Sequence, residues 1–512
     1  MLGKKKFEPK LMYNLTMDDL VPEDNFYRRL DKILDLRFVY QECKSLYGQT
    51  GNPSLDPVVF FKLELVAYFE NIISDRALVK KAGDMLGIRY YLGYDIDEKL
   101  PWHSTISRTR GLIKEETFEQ IFEQILKMCR DAGLIDGKHQ SIDSTLVKAN
   151  ASLDSLEIKE PHLELKEFVN RVYQENPVNE NNTQQGSSEV TQNNKNDEDN
   201  KKDNKISNEN LKLVKMEKEK KSSSNMDRNK KYRSRTDGDS RIATKPKTPT
   251  AMYYSTFYSV DSKKKIITNV LTTHADRGDI PGYIEILDKT EARLWKLGLT
   301  IEEISADKGF CSGNNLRQTE QRGIAPYIPS KKNANTEGEF TSDKFTYDQV
   351  KKVCICPNNQ ELKYSGYDSE KELMRFSCRK RLCMNCPFKK LCCPNAERRQ
   401  LKKTIYYKEY ERLETRLAKP HAKTAAMLRK TGPEPLFAEA KMYNGLSKFM
   451  SRGLDKNQKR SYMIASVQNL KRLLTLTEKI RHTYINKFIF TILHFLNYCI
   501  TMHAKKLRLS YC

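Results

Sequence analysis

Residues 302–330 read EEISADKGFCSGNNLRQTEQRGIAPYIPS. EEISADKGF is a short β-like run that ends in Asp307, residues 314–322 carry a helical pattern, and APYIPS is a second β-like run. Strand, helix and strand in so short a span is the alternation of an α/β domain. Working back along the chain, TAMYYSTFYSVDSKKKIITNVLTTHADRGD (250–279) holds two β-rich runs around VDSKKK, a hairpin pattern, with a helix expected from about Pro281 to Leu297. Earlier still, HQSIDSTLVKANAS (139–152) has a short apolar run around Ile142 that leads to Asp143, behind an amphipathic helix over 116–134 that ends at Gly133.

Further out the chain changes character. Residues 1–115 read as an all-α domain, because DPVVFFKLELVAYFENIISDRALVKKAGDML (56–86) places apolar residues at helical spacing. In LPWHSTISRTRGLI, Ser104 or Thr105 is the expected N-cap. Residues 155–235 read as an insertion that stays disordered, since the Asn, Lys, Asp and Ser that dominate it bury little surface. Residues 340–395 hold seven of the twelve cysteines, and 403–512 is helical and basic. The organisation expected is therefore a helical part (1–115), a core in three pieces (116–154, 236–335 and 403–512), the insertion and the cysteine-rich insert.

Lys and Arg number 90 against 67 Asp and Glu, a formal net charge of +23, which favours a polyanionic partner such as nucleic acid. MLGKKKFEPK leads into no apolar core, so a cytoplasmic protein is expected. The apolar stretch 488–502 is short for a membrane span and contains His494 and Asn497, which favours a buried helix.

The acidic residues carry the chemistry. Asp143 and Asp307 each follow a short apolar strand, and Glu434 opens a helical run, PEPLFAEAKMYNGL. Carboxylates at strand ends and on a nearby helix can converge. Once together they repel one another unless cations sit between them. Hard divalent ions prefer such oxygen ligands, and two of them serve attack on a phosphodiester. Taken singly, a strand-end Asp is more often a turn residue, so spacing alone does not choose these three.

The blocks that surround them choose. SLDPVVFFKLELVAYFENIISDRALVKKAGDMLGIRYYLGYDIDEKLPWHSTISRTR (54–110), SIDSTLVKANAS (141–152), TDGDSR (236–241) with YYSTFYSVDSKKKIITNVLTTHADRGD (253–279), ISADKGFCSGNNLRQTEQRGIAPYIPSKK (304–332), and RKTGPEPLFAEAK (429–441) with SRGLDKNQKRSYMIASVQNLKRL (451–473) occur in the order of one family. The sequence resembles the DDE transposases of bacterial insertion sequences, in the subfamily with a helical N-terminal domain and a cysteine-bearing insert. The resemblance implies an α/β ribonuclease-H-like catalytic domain, a mixed sheet flanked by helices, with Asp143, Asp307 and Glu434 as catalytic residues on Mg²⁺ or Mn²⁺. The family's Tyr-Arg-Glu-Lys signature maps onto Arg429, Glu434 and Lys441, the Arg and Lys contacting DNA phosphates. Ala426 fills the Tyr position, Pro433 stands where an aliphatic residue is usual, and Ala438 where Gly is usual.

Two glutamates compete for the third position. Each helical residue advances about 100°, so Glu434 and Lys441 share a face while Glu439 points elsewhere. Pro433 is suited to the first helical position, which makes Gly432 the N-cap and puts Glu434 in the first turn.

In VCICPNNQEL (353–362) and FSCRKRLCMNCPFKKLCCPN (376–395), Cys383-x-x-Cys386 is a knuckle spacing suited to Zn²⁺. Cys356 and Cys392 complete a set of four in a zinc-ribbon-like insert, with Cys354, Cys378 and Cys393 as alternatives. The activity expected is metal-dependent cleavage at terminal inverted repeats and strand transfer into target DNA, by a homodimer assembled on that DNA, with no membrane partner. The alternatives are a domesticated or decayed copy that binds DNA without cutting, and a nuclease without strand transfer.

Overall fold

The structure, a computed structural model, describes residues 15–47, 54–159, 225–245, 248–330 and 340–477. The described residues divide into two units, one within residues 1–147, 255–273 and 277–512, the other within residues 148–254 and 274–276.

The first unit opens with eight helices, α1 (Met17–Leu20), α2 (Phe26–Ile33), α3 (Val39–Cys43), α4 (Pro57–Phe69), α5 (Asp75–Asp84), α6 (Leu86–Leu92), α7 (His103–Leu112) and α8 (Glu115–Asp131). α4 starts where the Asp56 side chain accepts the N–H groups of Val58 and Val59, with Pro57 at the first position. Phe60, Phe61, Leu65 and Val66 are fully buried, so α4 is enclosed on nearly all sides. Glu64 is buried in its middle beside Arg110 of α7, Nη2 to Oε1 2.5 Å, and that guanidinium also holds Asp75 at 2.7 Å. The start of α7 differs from expectation. Trp102 is the N-cap residue and makes no side-chain cap, which places Ser104 and Thr105 inside the first turn. After α8 the chain enters β1 (His139–Lys148).

In the second unit β2 (Leu156–Ile158) pairs antiparallel with β3 (Tyr232–Ser234), which follows α9 (Asn225–Lys231). These elements are the described ends of the expected insertion, and residues 160–224 lie outside the described residues. β4 (Arg241–Ala243) pairs with the first residues of β5 (Ala251–Asp261), and the Asn229 amide bonds both backbone groups of Ile242. Buried Asp237 of the TDGDSR block accepts the Tyr254 hydroxyl at 2.6 Å.

The core sheet of the first unit runs β6-β5-β1-β7-β8. β6 (Ile266–His274) returns from β5 through a tight turn with Lys265 at φ 57°, as the VDSKKK pattern predicts. β5 lies beside β1, Ser262 N–H donating to the His139 carbonyl. β7 (Glu303–Ala306) is parallel to β1 in the register His139↔Glu303 to Ile142↔Ala306, and β8 (Ala325–Tyr327) is parallel to β7. α10 (Asp279–Lys296) connects β6 to β7, and α11 (Gly313–Gln321) connects β7 to β8. Ile142, Ile304 and Ala306 pack on one face against Tyr283, Ile286 and Leu287 of α10 and Leu316 of α11.

The cysteine-rich stretch folds as an antiparallel sheet, β13-β12-β11-β10-β9, of β9 (Thr346–Asp348), β10 (Val353–Ile355), β11 (Glu361–Asp368), β12 (Leu373–Ser377) and β13 (Gln400–Thr404). Two short helices, α12 (Lys380–Met384) and α13 (Lys389–Cys392), lie between β12 and β13. The chain then forms α14 (Tyr407–Leu417), α15 (His421–Thr431), α16 (Pro433–Tyr443) and α17, a helix over residues 454–477. α15 covers the other face of the core sheet, where the Ser305 hydroxyl donates to the Ala425 carbonyl at 3.2 Å. No helix among the described residues is long and apolar enough to cross a membrane, and residues 488–502 lie outside them.

His139 ties β1 to β7 and to the turn that follows β5. Its Nδ1 lies 2.6 Å from Ser262 Oγ and its Nε2 2.9 Å from Ser305 Oγ. Burial holds its pKa below the ordinary value, partly offset by Glu303. The folded protein therefore takes up a proton on this ring only at lower pH than the unfolded chain, which does so below about pH 6.5. The contribution of His139 is full above that pH and is lost as pH falls through it. Glu115, raised to about 7 by burial and Asp455, shifts stability in the opposite direction. The readout is thus the urea midpoint of wild type minus that of His139→Gln, expected to shrink between pH 7.5 and 5.5. A difference independent of pH would refute the lowered pKa.

Candidate functional site

Asp143 follows Ile142 on β1, and Asp307 follows Ala306 at the end of β7, where Ile142 and Ala306 are register partners. Their carboxylates leave adjoining parallel strands, which lie about 4.8 Å apart. Asp307 keeps an extended backbone, φ −73° and ψ 161°, before the turn Lys308–Phe310. Asp143 shares a strand face with Ser141 and Thr145. α16 lies over that face. A Cβ on Gly432 would stand 3.7 Å from Ser141 Cβ. Lys441 Nζ donates to Thr145 Oγ1 at 2.6 Å. Asp143 sits between these two contacts.

Glu434 is in the first turn of α16, with Gly432 as N-cap residue and Pro433 at the first helical position. That turn favours an ionised carboxylate through the helix dipole. The break at Gly432, φ −86° and ψ −87°, separates α15 from α16 but does not remove Arg429. Its Nη2 lies 3.4 Å from Glu434 Oε1, the side chains 21% and 45% exposed. So exposed a pair is worth at most about 1 kcal/mol, weak enough for a phosphate or a cation to displace. Glu439 is engaged elsewhere, its Oε2 3.1 Å from Arg472 Nη2 of α17.

The structure thus brings Asp143 and Asp307 side by side and lays the helix of Glu434 and Lys441 along the same strand. Among the described residues, no three His, Cys, Asp or Glu side chains are gathered closely enough to form a metal cage. Sequence reasoning passed over Asp279, the first residue of α10. It accepts the Ser144 hydroxyl at 2.6 Å, beside Asp143. The only trace of it in the sequence is its place at the end of the TTHADRGD block.

Six cysteines line one small cavity beside the antiparallel sheet: Cys356, Cys378, Cys383, Cys386, Cys392 and Cys393. Four of them are the expected set, and Cys378 and Cys393 are two of its alternatives. Cys354, the third, is packed instead among Phe345, Leu362 and Phe376 in the sheet core. The backbone N–H groups of Gln360 and Arg399 donate to the sulfurs of Cys356 and Cys383, each at 3.4 Å. Burial, with Cys383 alongside, pushes the Cys378 thiol up to about 12, and burial with Cys393 alongside takes Cys392 to about 11.

Residues 15–112 match a family described as Transposase domain (DUF772), and residues 355–474 match one described as Transposase DDE domain. The chain belongs to the DDE transposases of insertion-sequence type. No curated protein matches it, and no solved structure does. The first match covers α1 to α7 of the transposase, and the second covers the cysteine cavity and Glu434. Asp143 and Asp307 lie outside both.

Of the transposase's departures from the family signature, Pro433 has a clear structural place as the first residue of α16. Ala426 and Ala438 are both exposed, and nothing in the structure explains them.

Asp279 reaches β1 because α10 approaches the sheet closely at Gly282, where an added Cβ would overlap the Phe257 ring. Gly282→Ala in the transposase is expected to lower stability by about 1–3 kcal/mol in urea unfolding, the usual cost of overpacking. An unchanged midpoint would show that α10 does not sit so close.

Proposed function

We propose that this transposase cuts DNA at the ends of its element and joins them to target DNA, with Asp143, Asp307 and Glu434 holding Mg²⁺ or Mn²⁺. The observation that carries the reading is the parallel register of β1 and β7, which sets the two aspartates on adjoining strands under the helix of Glu434. The order β6-β5-β1-β7-β8, with a hairpin on one side of β1 and parallel strands on the other, supports a ribonuclease-H-like core. Two ions held there would activate the attacking oxygen and stabilise the leaving one. The protein's own part is positional. Arg429 and Lys441 bind phosphates on either side of Glu434, and the backbone of β1 and β7 keeps the aspartates in register. The helical domain (1–115) recognises the element ends, and two copies of the chain assemble on the DNA.

The reading extends to a structural Zn²⁺ on Cys356, Cys383, Cys386 and Cys392, which line one cavity but are not gathered into a metal cage. Backbone N–H groups aimed at two of these sulfurs favour the thiolate form that zinc requires. One observation favours a second reading, a copy that binds DNA without cutting: the Tyr of the signature is replaced by Ala426.

Purified protein is expected to cut an element-end duplex only with Mg²⁺ or Mn²⁺, and to give joined products with target DNA. Asp143→Asn, Asp307→Asn and Glu434→Gln should each abolish cutting, while Glu439→Gln keeps most of it. All four should still bind the duplex, with crosslinks to residues 15–112. Cutting by either Asp variant at the wild-type rate would remove the triad assignment, and a wild type that binds without cutting would establish the second reading.

Elemental analysis should find about one Zn per chain, the stoichiometry of a four-thiolate site. The double variant Cys383→Ser, Cys386→Ser should lose it and become protease-sensitive within residues 340–404. Fully folded protein without zinc would dispose of this site.

A further inference from the structure

Asp279 lies outside the proposed triad, yet β1 contacts it and the turn after β7 comes close to it. It is the first residue of α10, preceded by Gly278 at φ 75°. Its Oδ1 accepts the Ser144 hydroxyl at 2.6 Å, and the Ser144 backbone N–H donates to Asp143 Oδ1 at 2.7 Å. Ser144 points to the face of β1 opposite Asp143, because successive side chains alternate. Asp279 therefore meets β1 from the α10 side, behind the face that α16 covers. Its other oxygen meets the second strand's turn: a Cβ on Gly309 would lie 3.0 Å from Asp279 Oδ2. Gly309 is two residues past Asp307, so the absence of a side chain there lets the turn rest on this carboxylate.

We propose that Asp279 is a positioning residue for the divalent-cation site: through Ser144 it orients the backbone beside Asp143, and through Gly309 it seats the turn that follows Asp307. The inference rests on the reading of Asp143 and Asp307 as a metal-holding pair. Asp279 acts through these neighbours rather than as a ligand: Oδ1 accepts the Ser144 hydroxyl, and Oδ2 lies against the space that a side chain on Gly309 would fill. The separation of the two aspartates then depends on one side chain that reaches the middle of β1 and the turn after β7 from a helix docked by its close approach at Gly282. Partners that orient ligands from behind contribute about 10–100-fold to metal affinity in other sites.

The test is Mn²⁺ binding to the full chain without DNA, read from the electron paramagnetic resonance of free Mn²⁺, with urea unfolding as a control for the fold. Ser144→Ala should weaken binding about tenfold, Asp279→Ala at least as much, and the double variant no further than Asp279→Ala, because both remove the same hydrogen bond and Asp279→Ala also removes the carboxylate beside the Gly309 turn. Asp279→Asn keeps an acceptor for the Ser144 hydroxyl and should stay within about threefold of wild type. Unweakened binding by Ser144→Ala would overturn the proposal. So would Asp279→Asn weakening as much as Asp279→Ala, which would make the carboxylate a ligand. Asp143→Asn separates the two levels. If it still binds Mn²⁺ like wild type, the metal-holding pair falls and the proposal with it. If it loses Mn²⁺ while Ser144→Ala does not, the positioning role alone falls.

Discussion

The pairing of β1 with β7 is the constraint on which the site depends. Parallel strands cannot be joined by a tight turn and need a long crossover, here the chain from β2 to β4 followed by the β5–β6 hairpin and α10. β1 has the hairpin on one side and a parallel strand on the other, so strand order reverses around it. Crevices at such switch points, near the carboxyl ends of the strands, are where open α/β sheets bind ligands. β7 is only four residues long and stops at Ala306, while β1 continues to Lys148. Asp307 therefore leaves the sheet opposite the middle of its longer neighbour, next to Asp143.

The third carboxylate reaches this place by another route. A continuous helix through residues 421–443 would carry Arg429 and Glu434 on a single axis. The break at Gly432 and Pro433 makes two helices, and Lys441 fastens the second along β1. Arg429 and Glu434 still meet across the break, through a pair too exposed to be strong. An arrangement held by Gly432, Pro433 and Lys441 leaves the carboxylate and the guanidinium available to other charges.

The cysteine-rich sheet shows a different economy of packing. Its core consists of a few apolar residues, among them Phe345, Leu362, Phe376 and Leu401, together with buried thiols. Cores of this size rarely hold a fold by burial alone, and metals or disulfides commonly supply the rest. All ten described cysteines are free thiols, and six of them line one cavity.

Local pattern made much of the core legible. The short apolar run ending in Asp307, the VDSKKK hairpin, and the helices between strands follow from periodicity, because strand and helix burial repeat at two and 3.6 residues, whereas β1 runs on through Asp143 to Lys148. The start of α16 was legible for the same kind of reason, since proline's missing N–H suits a first turn. The absence of a cap on α7 was not, because Ser104 and Thr105 look alike as N-caps until the preceding backbone is placed. What sequence alone determined is which residue types occur at strand ends and helix starts. Which of them meet was decided by tertiary structure. Asp279 touches Ser144 across 135 positions, and six sulfurs drawn from residues 356–393 line one cavity. Side-chain chemistry is written locally, but the approach of two elements is set by sheet register and by glycines such as Gly282 and Gly309, whose lack of a side chain has meaning only against a particular neighbour.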